Sequence, residues 1–182
     1  FTKGKGCYLY DDKNNKYLDF ASGIAVNSLG HCHPRLVKAL NNQSKQLWHV
    51  SNLYLIKKQE KFAKLLCKNS FADKVFFTNS GAESIECGIK IIRSYHSHYK
   101  TGKNEIITFD GAFHGRTLGA LSAQKNKKYS KGFGPLIPGF KKVEFNNKNK
   151  LRSAINKKTA GIIVEPVQGE GGIRPADLSF LK

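Results

Sequence analysis

Apolar and polar positions along this 182-residue chain follow first a strand-like period and then a helical one. Cys7–Tyr10 and Lys16–Phe20 flank the turn-rich Asp11-Asp12-Lys13-Asn14-Asn15, which predicts a β-hairpin. A loop containing Gly23 and Gly30 leads to Pro34, a residue suited to a first helical turn. Leu36, Val37, Leu40 and Leu47 continue a helical spacing to about residue 47, and Phe62, Leu65 and Leu66 mark a second amphipathic helix over 57–68. From residue 75 onward strands and helices alternate. Strand Val75–Thr78 comes first, then a helix with Ala82, Ile85, Ile89, Ile92 and His96 at steps of three and four. Strand Glu105–Phe109, a short helix Thr117–Ala123 and a basic loop Gln124–Lys131 follow. After the Gly/Pro-rich 132–139 come strand Lys142–Phe145, helix Lys148–Asn156 and strand Gly161–Val164. Residues 178–182 read as the first turn of a further helix. This alternation predicts an α/β fold with a mainly parallel sheet and ligands at the carboxyl ends of its strands.

Composition narrows the class. Hydrophobic residues make up 40% and aromatics 11%, as in a globular domain. No apolar run is long enough to span a membrane, and the start has no signal-peptide core. Four scattered cysteines (Cys7, Cys32, Cys67, Cys87) without a CxxC pair predict buried free thiols in a reducing cytoplasm. The net charge of +18 comes mostly from lysine; only Arg35, Arg93, Arg116, Arg152 and Arg174 are arginines. Specific nucleic-acid readers lean on arginine and stacked aromatics, so the lysine excess reads as a compositional bias with non-specific attraction to polyanions.

Three candidate sites lie after three of the predicted strands. Ser80-Gly81-Ala82 turns a strand into a helix, where small residues and free N–H groups make an anion cradle. It lacks both the P-loop ending and the three spaced glycines of a dinucleotide fingerprint, and such a turn also occurs for tight packing alone. Phe113-His114-Gly115-Arg116 offers a flat ring and a planar fork suited to a carboxylate, beside the plain reading of a core Phe and a surface Arg. Glu165-Pro166-Val167-Gln168-Gly169-Glu170-Gly171-Gly172 sets two carboxylates in a Gly-rich loop after a buried strand. His31-Cys32-His33 lacks zinc-ligand spacing and reads as capping and loop packing next to Pro34.

Taken in this order, the motifs resemble the class III pyridoxal-phosphate-dependent aminotransferases of fold type I, and within them the acetylornithine branch. The resemblance covers essentially the whole chain and includes Asp19–Asn27, Gly30–Pro34, Leu47–Tyr54 and Gly132–Leu136. It implies an N-terminal segment over 1–54 and the first part of the cofactor-binding large domain over 55–182. It implies that Ser80, Gly81 and Ala82 hold the phosphate of pyridoxal 5'-phosphate and that Phe113 stacks on its ring. Arg116 would bind the α-carboxylate of the amino-acid substrate. Glu170 resembles the glutamate that gates a second, downstream arginine, with Glu165 near the same wall. Gly23–Asn27 and Ser51–Tyr54 would line the site, partly across a homodimer. The implied substrates are N-acetylornithine and 2-oxoglutarate in the cytoplasmic synthesis of arginine. Ornithine, succinylornithine and 4-aminobutyrate remain alternatives.

Family chains are about twice as long. None of the lysines here stands in the context of the family's Schiff-base lysine, nor is there its D-E-V-Q type aspartate. Both are therefore expected beyond residue 182, and the chain alone is expected to be inactive. The competing expectation is a non-catalytic remnant or a basic polyanion-binding chain.

Overall fold

A computed structural model describes residues 1–124 and 126–182, with all of their side chains except that of residue 127. It divides into two compact units, Phe1–Val75 and Phe76–Lys182.

In the first unit, β1 (Lys3–Lys5), β2 (Tyr8–Tyr10) and β3 (Lys16–Leu18) form an antiparallel meander. The expected hairpin is β2–β3, and β1 adds a strand that the pattern did not predict. Asp11 knits the turn: Oδ1 accepts the N–H groups of Lys13 and Asn15 at 3.0 and 2.8 Å, and Oδ2 accepts from the Tyr17 hydroxyl at 3.0 Å. These bonds hold the Asp11 carboxyl below its ordinary range, with the Asn15 side chain contributing most.

The one-turn element α1 (Ser22–Ala25) is left-handed, with φ between 49° and 64° at all four residues. Ile24 adopts φ 62° although it is β-branched, a conformation that costs about 1–3 kcal/mol and tends to occur at functional segments. Asp19 anchors this turn. Its Oδ1 accepts from the N–H groups of Ala21 and Ser22, and Oδ2 lies 2.7 Å from His31 Nε2. His31 also bridges Gly6 through backbone hydrogen bonds. It is therefore a packing residue of this loop, as its place before Pro34 suggested.

Helix α2 (Pro34–Ser44) starts at Pro34 as expected but ends three residues before Leu47, whereas α3 (Lys57–Lys68) matches its apolar periodicity to the residue. Neither buries a side chain fully; Leu40 and Leu65 are more than half exposed. The expected burial of the thiols fails. Cys7 and Cys32 are exposed and Cys67 and Cys87 half-buried, because the first two lie on surface turns where nothing packs over them.

The second unit is built on a parallel sheet of order β5-β4-β6, with β4 (Glu105–Phe109) between β5 (Phe140–Val143) and β6 (Thr159–Ile162). Ile106, Ile107, Thr108 and Phe109 are at most 1% exposed, as a central parallel strand covered on both faces requires. Strands β5 and β6 begin two residues earlier than their apolar runs predict. The ladder decides this, by pairing Ile106 with Phe140 on one side and Gly161 on the other.

Helix α4 (Gly81–His98) lies against β6. A Cβ on Gly161 would stand 2.9 Å from Ile92, so glycine permits the approach. His96, on the apolar stripe of α4, is satisfied by Thr101 Oγ1 at 2.7 Å and the Ala160 carbonyl at 2.8 Å. Helices α5 (Leu118–Ala123) and α7 (Lys148–Ala154) and the single turns α6 (Lys127–Ser130) and α8 (Leu178–Leu181) complete the helices. The turn at the chain's end matches expectation, and its Phe180 joins Phe109 and Phe145 in the core.

Two segments depart from the sequence reading. Val75–Thr78 forms no strand and belongs to none of the sheets among the described residues, because an apolar run becomes a strand only beside a neighbour. The Gly-rich 165–172 segment is not a simple loop. It enters a hairpin of β7 (Val167–Gln168) and β8 (Arg174–Pro175) with Glu170 at its tip. In the basic loop, Lys125 and the side chain of Lys127 lie outside the described residues.

Candidate active site

The site is assembled within the second unit. Ser80 is the N-cap of α4, with extended backbone and a side-chain oxygen that accepts the Glu83 N–H at 3.2 Å. Glu83 reaches back to the Asn79 N–H at 2.6 Å, a variant of the capping box. The N–H groups of Gly81 and Ala82 come first in the helix and have no intrahelical acceptor. A Cβ at Gly81 would meet nothing within 4 Å, so the space above the turn is open. Two such donors at the positive end of an 18-residue helix could hold an anion such as a phosphate.

The next loop is fastened to that turn. Gly115 has φ +119°, and a Cβ there would lie 2.7 Å from the Ala82 Cβ. Only glycine lets this backbone pass so close to the cradle. Gln124, 2% exposed, clamps the loop from behind: its Oε1 accepts the His114 N–H at 3.0 Å and its Nε2 donates to the Gly115 carbonyl at 2.9 Å. His114 is buried beneath the loop, and desolvation pushes its imidazole below the ordinary range. Phe113, at the start of this loop, is 36% exposed.

The third segment closes on the second. Glu165 Oε1 accepts the Phe113 N–H at 3.1 Å. Its Oε2 is buried without a protein partner among the described residues. Burial pushes the Glu165 carboxyl above the usual range, and the Phe113 N–H opposes this. Glu165 therefore favours the fold most below its unfolded pKa, and that contribution is lost as pH rises through the higher folded pKa. Glu165→Gln keeps the acceptor for Phe113 and removes the titration. In urea unfolding followed from pH 4 to 8, the variant is expected to gain on the parent as pH rises; a constant difference would contradict the assignment.

Gln168, 1% exposed, donates to the Asp110 carbonyl at 3.0 Å. Gly111, at φ +84°, would bring a Cβ within 2.8 Å of the Gln168 Oε1. Gly171 packs as closely on the Gly111 carbonyl. The hairpin is thus seated on the end of β4.

Arg116 stands at the centre. Its guanidinium lies 4.0 Å from the centroid of the Tyr129 ring and 5.7 Å from that of Phe113. The two rings meet edge to face at 5.9 Å. The Tyr129 hydroxyl donates to Glu170 Oε1. This bond, more than burial, pushes the Tyr129 phenol above its ordinary range.

All six sequence-predicted residues are therefore linked: Ser80, Gly81 and Ala82 through Gly115 to Phe113 and Arg116, and these through Tyr129 to Glu170. Sequence reasoning missed Tyr129, Gln124 and Gln168. Tyr129 had one signal, an aromatic residue amid lysines; Gln168 had only its place before Gly169, and Gln124 had none. Among the described residues no group of three or more His, Cys, Asp or Glu could hold a metal ion, and no helix is long and apolar enough to cross a membrane.

The architecture is that of the fold type I transferases, whose cofactor is pyridoxal phosphate. The chain belongs to the class III aminotransferases: the family described as Aminotransferase class-III matches residues 1–182. It is 53% identical to the acetylornithine aminotransferase of Agrobacterium fabrum over 100% of this chain and 46% of that protein. With the acetylornithine aminotransferase of Clostridium acetobutylicum it shares 51%, over 100% of the chain and 47% of the relative. Among solved structures, ornithine aminotransferase from Toxoplasma gondii superposes with a TM-score of 0.92 at 30% identity, over 99% of this chain and 44% of that one. N-acetylornithine aminotransferase from Stenotrophomonas maltophilia gives 0.81 at 37%, over 98% and 44%. The chain spans about half the length of the curated relatives it matches.

Proposed function

We propose that the protein carrying this chain transfers an amino group between N-acetylornithine and 2-oxoglutarate, with pyridoxal phosphate as cofactor, in arginine biosynthesis. The observation that carries this reading is the physical join between the open Gly81–Ala82 donors and the Phe113–Arg116 loop at Gly115. The match of half or more of all positions to proteins named acetylornithine aminotransferase supports the donor.

The residues present fit the cofactor. Gly81 and Ala82 would hold its phosphate by backbone N–H groups, with Ser80 fixing the turn. Phe113 would cover the ring with its exposed face. When bound, pyridoxal phosphate supplies an electron-withdrawing ring and an aldehyde that take up and return the amino group. The protein's own part in this chain is to bind and orient. Arg116, with its planar fork, would receive the α-carboxylate of the amino acid, and Glu165 would keep Phe113 in place. Glu170 would govern the entry of a second carboxylate. The same reading places 1–54 as the N-terminal segment and 55–182 as the first part of the large domain of a cytoplasmic homodimer. It takes Gly23–Asn27 and Ser51–Tyr54 as further site-lining segments, and residues 1–182 alone as inactive.

The test is amino transfer by the complete protein to 2-oxoglutarate with N-acetylornithine, ornithine, succinylornithine and 4-aminobutyrate compared as donors. N-acetylornithine is expected to give the highest kcat/KM. A tenfold preference for another donor would move the assignment to that branch, and no transfer with any of them would support the remnant.

A further inference from the structure

We propose that Glu86 is a positioning residue that fixes Arg116 relative to the Gly81–Ala82 cradle by taking the hydroxyl of Thr117. The proposal rests on the reading of Arg116 as the carboxylate-binding residue.

Ala82 and Glu86 stand four residues apart in α4, so they share one face of the helix that begins at the cradle. Each fastens one neighbour of Arg116. Before it in the chain, Gly115 lies against Ala82, where a Cβ would come within 2.7 Å of the Ala82 Cβ. After it, the Thr117 hydroxyl donates to Glu86 Oε1 at 2.5 Å. The same hydroxyl oxygen accepts the Ala120 N–H at 3.2 Å as the N-cap of α5. The backbone of Arg116 is thus carried between two anchors on one face of one helix.

Gly119 marks the seat of the Glu86 carboxylate. It is buried in α5 and has no positive φ, so the backbone there does not call for glycine. Glycine inside a helix costs about 1 kcal/mol relative to alanine. A Cβ on Gly119 would stand 2.8 Å from the Glu86 Cδ and nearer still to both oxygens, and these are its three nearest neighbours. The space that the missing methyl leaves is the space that the carboxylate fills. G119A therefore empties the seat without changing Glu86 or Thr117.

The probe is glutarate, an unreactive dicarboxylate, bound to the cofactor-loaded complete protein and read as a dissociation constant. E86A is expected to weaken glutarate about tenfold, the value of a hydrogen bond to a charged group. G119A weakens it by a similar factor although alanine is the better helix former and the melting temperature does not fall. KM for N-acetylornithine rises in parallel, while kcat and the dissociation constant of pyridoxal phosphate stay within about twofold of the parent. T117S keeps the hydroxyl and binds glutarate as the parent does. In the E86A background T117V is expected to cost less than twofold, because the bond it removes is already gone.

Additive costs of E86A and T117V would overturn the proposal. So would equal losses of glutarate and cofactor affinity, or a loss of stability in E86A and G119A with glutarate binding intact, since Glu86 would then only support the fold. R116A separates the two levels. If R116A abolishes glutarate binding but E86A and G119A leave it unchanged, Glu86 has no such role and the carboxylate reading stands. If R116A leaves glutarate binding intact, the carboxylate reading itself fails.

Discussion

Arg116→Ala in the complete protein is expected to lower kcat/KM for the amino donor by about 10²–10³-fold, with the affinity for pyridoxal phosphate changed less than threefold. The magnitude is that of two charge-assisted hydrogen bonds, roughly 3–4 kcal/mol, lost from a bound carboxylate. The selectivity comes from position. The guanidinium stacks on Tyr129 and Phe113 and touches none of the phosphate-end donors at Gly81 and Ala82. Arg116→Lys restores the charge but not the fork, and is expected to recover less than a tenth of the loss. Steady-state kinetics with N-acetylornithine, beside cofactor titration of the apoprotein by fluorescence, check both halves. Equal losses of cofactor and substrate affinity would show that the residue supports the loop rather than the substrate.

Phe109→Ala is expected to destabilise the protein by about 3–5 kcal/mol, a large part of the 5–15 kcal/mol that holds a domain folded. Phe109 ends the central strand and is 1% exposed. It meets Phe180 at 5.2 Å and Phe145 at 6.1 Å, and those two meet each other at 5.9 Å, all edge to face. Removing it opens the middle of this triangle, and the stiff strands beside it cannot collapse to fill the space. The next residue, Asp110, begins the turn on which Gln168 and the β7–β8 hairpin sit, so the damage reaches the site. Phe109→Leu keeps most of the volume and is expected to cost about 1–1.5 kcal/mol. Urea unfolding of the complete protein measures both. A Phe109→Ala loss below ~1 kcal/mol would mean that the aromatic cluster is not the core of this unit.

The motif residues were legible because each is marked by local chemistry. Ser80 is a cap, Gly81 and Ala82 are small residues at a turn, and Arg116 is a rare arginine among lysines. Their partners were not legible in the same way. Glu165 lies 52 residues from Phe113, and Glu170 lies 41 residues from Tyr129. Nothing in the spacing of either pair announces a contact. Gln124 and Gln168 look like any polar loop residue until the chain folds back over them and buries their amides.

The sequence by itself determined the helix at Lys57–Lys68, the central strand Glu105–Phe109, the β2–β3 turn around Asp11 and the order of the three site motifs. Each depends on interactions within a few residues, and periodicity, caps and turn chemistry record those directly. Tertiary structure decided the rest. It left Val75–Thr78 outside the sheets and started β5 and β6 two residues early. It folded the Gly-rich segment into a hairpin and brought Tyr129 between Arg116 and Glu170. These outcomes depend on which distant segment supplies the ladder partner or the opposing surface. A strand's edges and an exposed ring's neighbours are properties of the packed chain, not of the local run of residues.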